Sequence, residues 1–201
     1  MGKAITIARQ FGSGGRELGR RLAEELGCEY YDREIINAIA EQTDLAVQYV
    51  KSVVERRPHD LYPITIGGSF SGVNDYAMRQ IQSVYQAQSE IIRDMAAKSD
   101  CVIIGRCADY ILRDQDPLRL FVYADTESRL QRCMNRRQGD EADLTEKEMR
   151  RRIVSVDKSR AKYYELYTGK IWGDMINYDL CVNTTGCDFK QLAAALAKLV
   201  R

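Results

Sequence analysis

The chain has 201 residues, 45% hydrophobic and 29% charged, with a net charge of +1 at pH 7. That length suits one domain, or one domain with a small mobile insert, and is ample for a sizeable core. The near-neutral balance excludes a global nucleic-acid or membrane signature, and no apolar run approaches the ~20 residues of a membrane span. The six cysteines (Cys28, Cys101, Cys107, Cys133, Cys181 and Cys187) make no C-x-x-C pair, and His59 is the single histidine, so a zinc site is not expected. They read as reduced thiols, with Cys101 and Cys181 in apolar strand-like runs where cysteine acts as a small hydrophobe. The chain goes straight into a strand with no basic-then-apolar leader, which predicts a soluble cytoplasmic protein.

The first element is a short apolar run over 4–8 with strand character. It breaks into a loop whose core is Gly12-Ser13-Gly14-Gly15, and a helix follows with Leu18, Leu22 and Leu26 on one face and Gly27 as its stop. Strand, glycine-rich loop and helix make a phosphate cradle, because backbone N–H groups and the helix N-terminus converge on an anion. The consensus phosphate loop ends in Gly-Lys-Ser/Thr. Here Gly15 holds the lysine position, Arg16 follows it, and Glu17 takes the place of the hydroxyl. A tight strand-to-helix turn with no ligand is the plainer reading of the same residues.

Glu29-Tyr30-Tyr31 is a short strand candidate ending at Asp32, and Ile35, Ile36 and Ile39 lie on the helix that follows. A second helical piece is expected over about 45–54, stopped by Arg56-Arg57-Pro58. Residues 59–74 carry Gly67, Gly68 and Gly72 and no sustained period, as expected of a long loop that is either a lid or a surface excursion. A long helix is predicted over about 76–98, with Ala77, Ile81, Val84, Gln88, Ile91 and Met95 along one stripe. The near-continuous apolar run 101–105 marks a strand buried on both faces, and Arg106 follows it directly. Ala108, Ile111 and Leu112 begin another helix, and 118–124 is the next strand. Asp125 can cap a helix that puts Arg129, Arg132 and Arg136 on one face, with Arg137 just beyond. After a polar stretch, Thr145-Glu146-Lys147-Glu148 is a capping box opening a helix to about 167. The last strand spans 179–184, and Asp188 caps a final helix bearing Phe189, Leu192, Ala193, Leu196 and Val200.

Strands alternating with helices predict parallel βαβ units with helices on both faces of the sheet. Ligands in such sheets bind at the carboxyl ends of the strands. The residues at those ends are 12–16, Asp32, Gly105-Arg106, Asp125 and Asn183-Thr184, a mixture of cations, glycines and acids that suits a nucleotide with a metal ion.

Four stretches together carry a resemblance over the whole chain. They are Ile5-Thr6-Ile7-Ala8-Arg9-Gln10-Phe11-Gly12-Ser13-Gly14-Gly15-Arg16; Tyr30-Tyr31-Asp32; Ile103-Ile104-Gly105-Arg106; and Asp157-Lys158-Ser159-Arg160 ahead of Asp179-Leu180-Cys181-Val182-Asn183-Thr184. The pattern resembles the nucleoside monophosphate kinases, and most of all the cytidylate kinase-like family. The resemblance implies a single P-loop kinase-like α/β/α domain over 1–201, with a five-stranded parallel sheet. It also implies a monophosphate-binding insert at about 56–98 and a lid at about 129–146. The implied activity is transfer of the γ-phosphoryl of ATP to a nucleoside monophosphate such as CMP or dCMP, with Mg2+. On this pattern Arg9, Gly12, Ser13, Gly14, Gly15, Arg16 and Glu17 bind the donor nucleotide. Arg106 matches the arginine of a Gly-Arg pair that contacts the acceptor phosphate. Asp157 and Arg160 match an Asp-x-x-Arg pair placed around the acceptor. Arg132, Arg136 and Arg137 fall in and before the lid, among the arginines that surround the transferred group.

Elementary chemistry supports these assignments, since phosphoryl transfer needs positioning and cations around the phosphate oxygens, and arginine binds phosphate in two-point fashion. Asp157 and Arg160 share a helix face bordering Met149, Ile153, Val156 and Tyr163, where an intrahelical salt bridge is the alternative reading. Arg129, Arg132 and Arg136 equally suit a solvated helix face. Asp32 is either a water-mediated Mg2+ partner or an N-cap. Glu17 binds the metal or turns away, because a carboxylate there repels phosphate. The family's lysine is absent, no acid follows the 101–105 strand, and Arg16, with Arg9, is expected to substitute for the lysine. Two other functions stay open: a nucleotide-binding sensor that has lost transfer, and a P-loop kinase of another small acceptor. No basic helix is interleaved with aromatics, so sequence-specific nucleic-acid binding is not expected. The sequence leaves the oligomeric state open.

Overall fold

A computed structural model describes residues 2–55, 73–137 and 139–200, apart from the side chains of 55, 73–78 and 140. Ala4–Arg9 forms β1, and all six of its residues are buried. It lies between β3 (Cys101–Ile104) and β4 (Leu118–Tyr123), paired in parallel with both. β2 (Glu29–Tyr31) flanks β3 and β5 (Leu180–Asn183) flanks β4, giving a five-stranded parallel sheet in the order β2-β3-β1-β4-β5.

Alternation along the strands divides the core into two layers. Ile5, Ile7, Val102 and Ile104 face Leu18 and Leu22 of α1 (Gly15–Leu26) and Ala193 and Leu196 of α8 (Phe189–Val200). Cys101 and Ile103 face the other way. They meet Ile35 and Ile39 of α2 (Glu34–Thr43), Val50 of α3 (Val47–Glu55), Ile92 of α4 (Val73–Lys98) and Tyr163 of α7 (Glu146–Thr168). The run 101–104 is apolar without a break because both faces of β3 are covered. Each fully buried Ile or Leu contributes about 1.5–3 kcal/mol, so the two layers supply most of what holds the sheet.

The caps form as their residue types predict. Thr145 and Glu148 make a reciprocal capping box at the start of α7. Asp125 accepts from Ser128 N at 2.6 Å and opens α6 (Thr126–Asn135), and Asp188 accepts from Lys190 N at 2.7 Å ahead of α8. α3 begins at Val47 and α4 at Val73, so the long helix takes in the last two residues of the stretch expected to be loop. The rest of that stretch, 59–72, lies outside the described residues. Past β3 the chain makes only the one-turn helix α5 (Ala108–Ile111) and a short 3-10 turn. Cys101 is buried as its apolar run implies, whereas Cys181 is exposed, because β5 is an edge strand with one face open to solvent. Among the described residues no helix is long and apolar enough to cross a membrane.

Candidate functional site

The loop between β1 and α1 sits at the carboxyl edge of the central strand. Gln10 N donates to Val122 O at 2.9 Å, and the buried Ser13 donates through its hydroxyl to Gln10 O at 2.8 Å. Gly14 has a φ of +80° and lies so close to the Phe189 ring that a Cβ would collide with it. Left-handed backbone and absence of a side chain are both required there.

Two helices grip this loop by its backbone. From α7, Asp157 accepts from Phe11 N at 2.8 Å, and Arg160 donates to Arg9 O at 2.9 Å. From α6, Arg129 donates to Phe11 O at 2.7 Å and pairs with Asp157. Arg132 donates to Ser13 O at 3.2 Å and to the Thr184 hydroxyl at 3.1 Å, while that hydroxyl donates to Ser13 O at 2.6 Å. Arg129 and Arg132 therefore leave a solvated helix face and brace the loop from behind.

On the other side a cationic group gathers at the ends of β1, β2 and β3. Asp32, buried after β2, takes Arg16 at 2.8 Å and Arg9 at 3.7 Å. Arg9 and Arg106 are both buried. Burial, and next the charge of Arg160, lower the pKa of the Arg9 guanidinium; Arg16 and Arg106 add to this while Asp32 opposes it. Arg9 and Arg16 share Asp32, and Arg160 lies 3.9 Å from Asp157; the charges of Arg160, Arg16 and Arg106 all act on the Arg9 guanidinium, a repulsion that an incoming anion relieves.

The turn carrying Arg106 is strained. Gly105, Arg106 and Cys107 have φ of +68°, +60° and +52°. Left-handed non-glycine residues are costly and cluster at functional sites. Buried Gln88 holds the turn by donating to Arg106 O at 3.0 Å, and Gln88 in turn accepts from Tyr163 OH at 3.2 Å. Sequence reasoning missed this pair; it placed Thr184 at the sheet edge but not its hydroxyl on the loop backbone. Gln88 did carry a signal, as the one polar residue in the apolar stripe of α4.

The remaining candidates lie nearby with other partners. Glu17 is held by Arg21 at 3.1 Å and by Arg136. Partial burial raises the Glu17 carboxyl, but hydrogen bonds from Arg136 and Arg21 outweigh it and hold the group below the usual carboxylate range. Arg137 turns to Met134 O and Leu144 O, on the α6–α7 connection rather than the loop. An open cleft of about 420 Å³ beside the loop is lined by Arg16, Glu17, Arg20, Tyr30 and Arg136. The structure therefore brings together Arg9, 12–16, Asp32, Arg106 and Arg160. It sets Asp157 and Arg132 behind the loop, Arg136 on Glu17, and Arg137 apart.

A magnesium ion does not fit these residues as a protein-held group. Asp32 and Glu17 are each already engaged by two arginines, and the described residues contain no cluster of three metal-ligating side chains.

Comparison with known proteins gives a consistent picture. The model of the cytidylate kinase-like family matches residues 4–186. A cytidylate kinase from Methanopyrus kandleri is 27% identical over 192 residues, covering 90% of this chain and 84% of its own. An uncharacterized protein of known structure from Eubacterium ventriosum is 25% identical, with a TM-score of 0.67 over 98% of both chains. Shikimate kinase from Bacteroides thetaiotaomicron, at 14% identity and a TM-score of 0.60 over 98% of both chains, shares the fold. So does shikimate kinase from Acinetobacter baumannii, solved with shikimate, at 16% identity and a TM-score of 0.55 over 100% of this chain and 93% of its own.

Proposed function

The chain belongs to the cytidylate kinase-like family, and from that premise we propose that it transfers the γ-phosphoryl group of ATP to a nucleoside monophosphate, with CMP or dCMP as acceptor. The observation that carries the reading is the cationic group of Arg9, Arg16, Arg106 and Arg160 beside a glycine loop at the carboxyl edge of a parallel sheet. In a phosphoryl transfer the protein does little covalent work, and fixed cations around the phosphate oxygens supply most of the stabilisation.

In this reading the loop 12–16 and the N-terminus of α1 hold the donor phosphates. Arg106 and Arg160 bind the acceptor phosphate. Arg136, exposed just past α6, swings from Glu17 to the transferred group and helps exclude water, while Arg129 and Arg132 keep bracing the loop from behind. Magnesium would come with the donor nucleotide to offset phosphate charge, and this reading assigns neither Asp32 nor Glu17 to hold it.

One observation favours the second reading, a nucleotide-binding protein without transfer. Glu17 stands where the family's metal-facing hydroxyl is expected, and two arginines fix it there. An ADP-release assay with ATP, Mg2+ and CMP, dCMP, UMP, AMP or GMP separates the two. Turnover concentrated on a cytidine acceptor is the expected result. ATP binding without turnover of any acceptor would replace the kinase reading with the sensor.

A further inference from the structure

In the consensus loop G-x-x-x-x-G-K-[ST], glycine opens the loop and lysine closes it. With Gly14 as the second consensus glycine, Arg9 holds the opening position and Gly15 holds the lysine position. The two departures are spatial neighbours. A Cβ on Gly15 would lie 2.6 Å from Cβ and 3.1 Å from Cγ of Arg9. Arg9 points to the α1 side of β1, as Ile5 and Ile7 do, and then runs along the sheet edge over β3. There its guanidinium lies so close to Gly105 that a Cβ on that residue would collide with it. Its outer end reaches Asp32 at 3.7 Å, only 9% of its side chain is exposed, and its buried Nε has no hydrogen-bond partner among the described residues. A buried, incompletely satisfied cation is costly and calls for a ligand or a function.

We infer that Arg9 supplies, from the strand side of the loop, the phosphate-binding cation that a lysine at position 15 supplies in the consensus, and that Gly15 is the clearance this arginine requires. The inference rests on the phosphate-site reading above. Arg16 is the poorer substitute: its side chain is 45% exposed where that of Arg9 is 9%, and it is the arginine held closely by the shared carboxylate Asp32, at 2.8 Å against 3.7 Å. Arginine suits the buried position because its guanidinium stays charged where a lysine would lose its proton. Gly105 differs from Gly15 in that its φ of +68° already favours glycine, but it too leaves room for Arg9. The Gly-Arg pair after β3 gives the Arg9 guanidinium room as well as presenting Arg106.

The reciprocal exchange tests this in the full chain. Arg9→Ala, Arg9→Lys, Gly15→Lys and the double variant Arg9→Gly with Gly15→Lys are compared for ATP turnover, ATP affinity and melting temperature. Arg9→Ala should lose about 100-fold in kcat, the usual loss on removing one preorganised charge donor. Gly15→Lys alone should lose comparably, since its side chain displaces Arg9. Arg9→Lys should keep part of the rate, and the double exchange should exceed either single change by about tenfold or more, the sign of coupled sites. A purely structural Arg9 would instead lower melting temperature without a rate gain in the double variant. A folded Arg9→Ala within about threefold of the parent in kcat overturns the inference. So does a double variant no better than the singles, and so does one that fails to fold, because the exchange predicts compatible packing. If the parent turns over no acceptor, the kinase reading fails separately. Affinity for ATP then decides Arg9, with about tenfold weaker binding expected for Arg9→Ala; unchanged affinity, or a parent that binds no ATP, overturns it.

Discussion

Asp109 is a buried carboxylate on α5 that accepts from Tyr164 OH at 2.6 Å. Burial raises its pKa above the ordinary aspartate value, and the Tyr164 hydrogen bond only partly offsets this. For an acid with a raised folded pKa, the contribution to stability is fullest below the unfolded value and is lost as pH rises through the folded one. Asp109→Asn keeps an acceptor for Tyr164 and has no charge to bury. Its melting temperature relative to the parent should therefore climb as pH increases above the ordinary aspartate pKa of ~3.9. Thermal melts of both proteins from about pH 4 upward check it; a difference that stays flat throughout would mean that burial does not raise the Asp109 carboxyl. The neighbouring turn needs such care. Arg106 sits in left-handed backbone, and its carbonyl is fixed from α4 rather than by local sequence.

Among the elements, α7 does several jobs along one helix. Asp157 and Arg160 hold the loop backbone, and Tyr163 and Tyr164 reach the turn after β3 through Gln88 and Asp109. Its first turn is tied down by Thr145, which accepts from Glu148 N at 3.3 Å. Thr145→Ala removes that cap and should cost about 1 kcal/mol. In a domain of this size that lowers the melting temperature by about 2–4 °C. Since Asp157 lies three turns further on, KM for ATP should not move. A KM change without loss of stability would mean that Thr145 acts in nucleotide binding rather than as a helix cap. The i, i+3 spacing of Asp157 and Arg160 was visible beforehand. The intrahelical pair forms, at 3.9 Å, as their spacing allows; their use in holding the loop was not visible, because Asp157 also binds Arg129, 28 residues away in sequence.

For the whole molecule, an anion that binds the folded state and not the unfolded chain stabilises it by mass action, worth about 2.7 kcal/mol at 100 times its dissociation constant. ATP, and more weakly inorganic phosphate, should raise the melting temperature in a concentration-dependent way. Sodium chloride at matched ionic strength should not, because screening weakens the attraction among Arg9, Arg16 and Asp32 without replacing it. A scanning fluorimetry titration reads this directly. Equal shifts with chloride and phosphate would remove the support for an anion site at the loop.

The layering was legible in the chain because it depends on local periodicity. Leu18 and Leu22 set the buried face of α1, the apolar run 101–104 between helices reads as a strand covered on both sides, and Thr145 with Glu148 signals a helix start. The ring of candidate positions was legible too, since strand ends in a parallel sheet share one edge. Which arginine faces the loop was not. Arg132 and Ser13 are 119 residues apart, and only the packed helices turn that guanidinium to the back of the loop while Arg9 passes beneath it. Residue type and spacing specify a helix face. The direction a long side chain takes from that face is settled by what other segments leave open, here the clearances at Gly15 and Gly105.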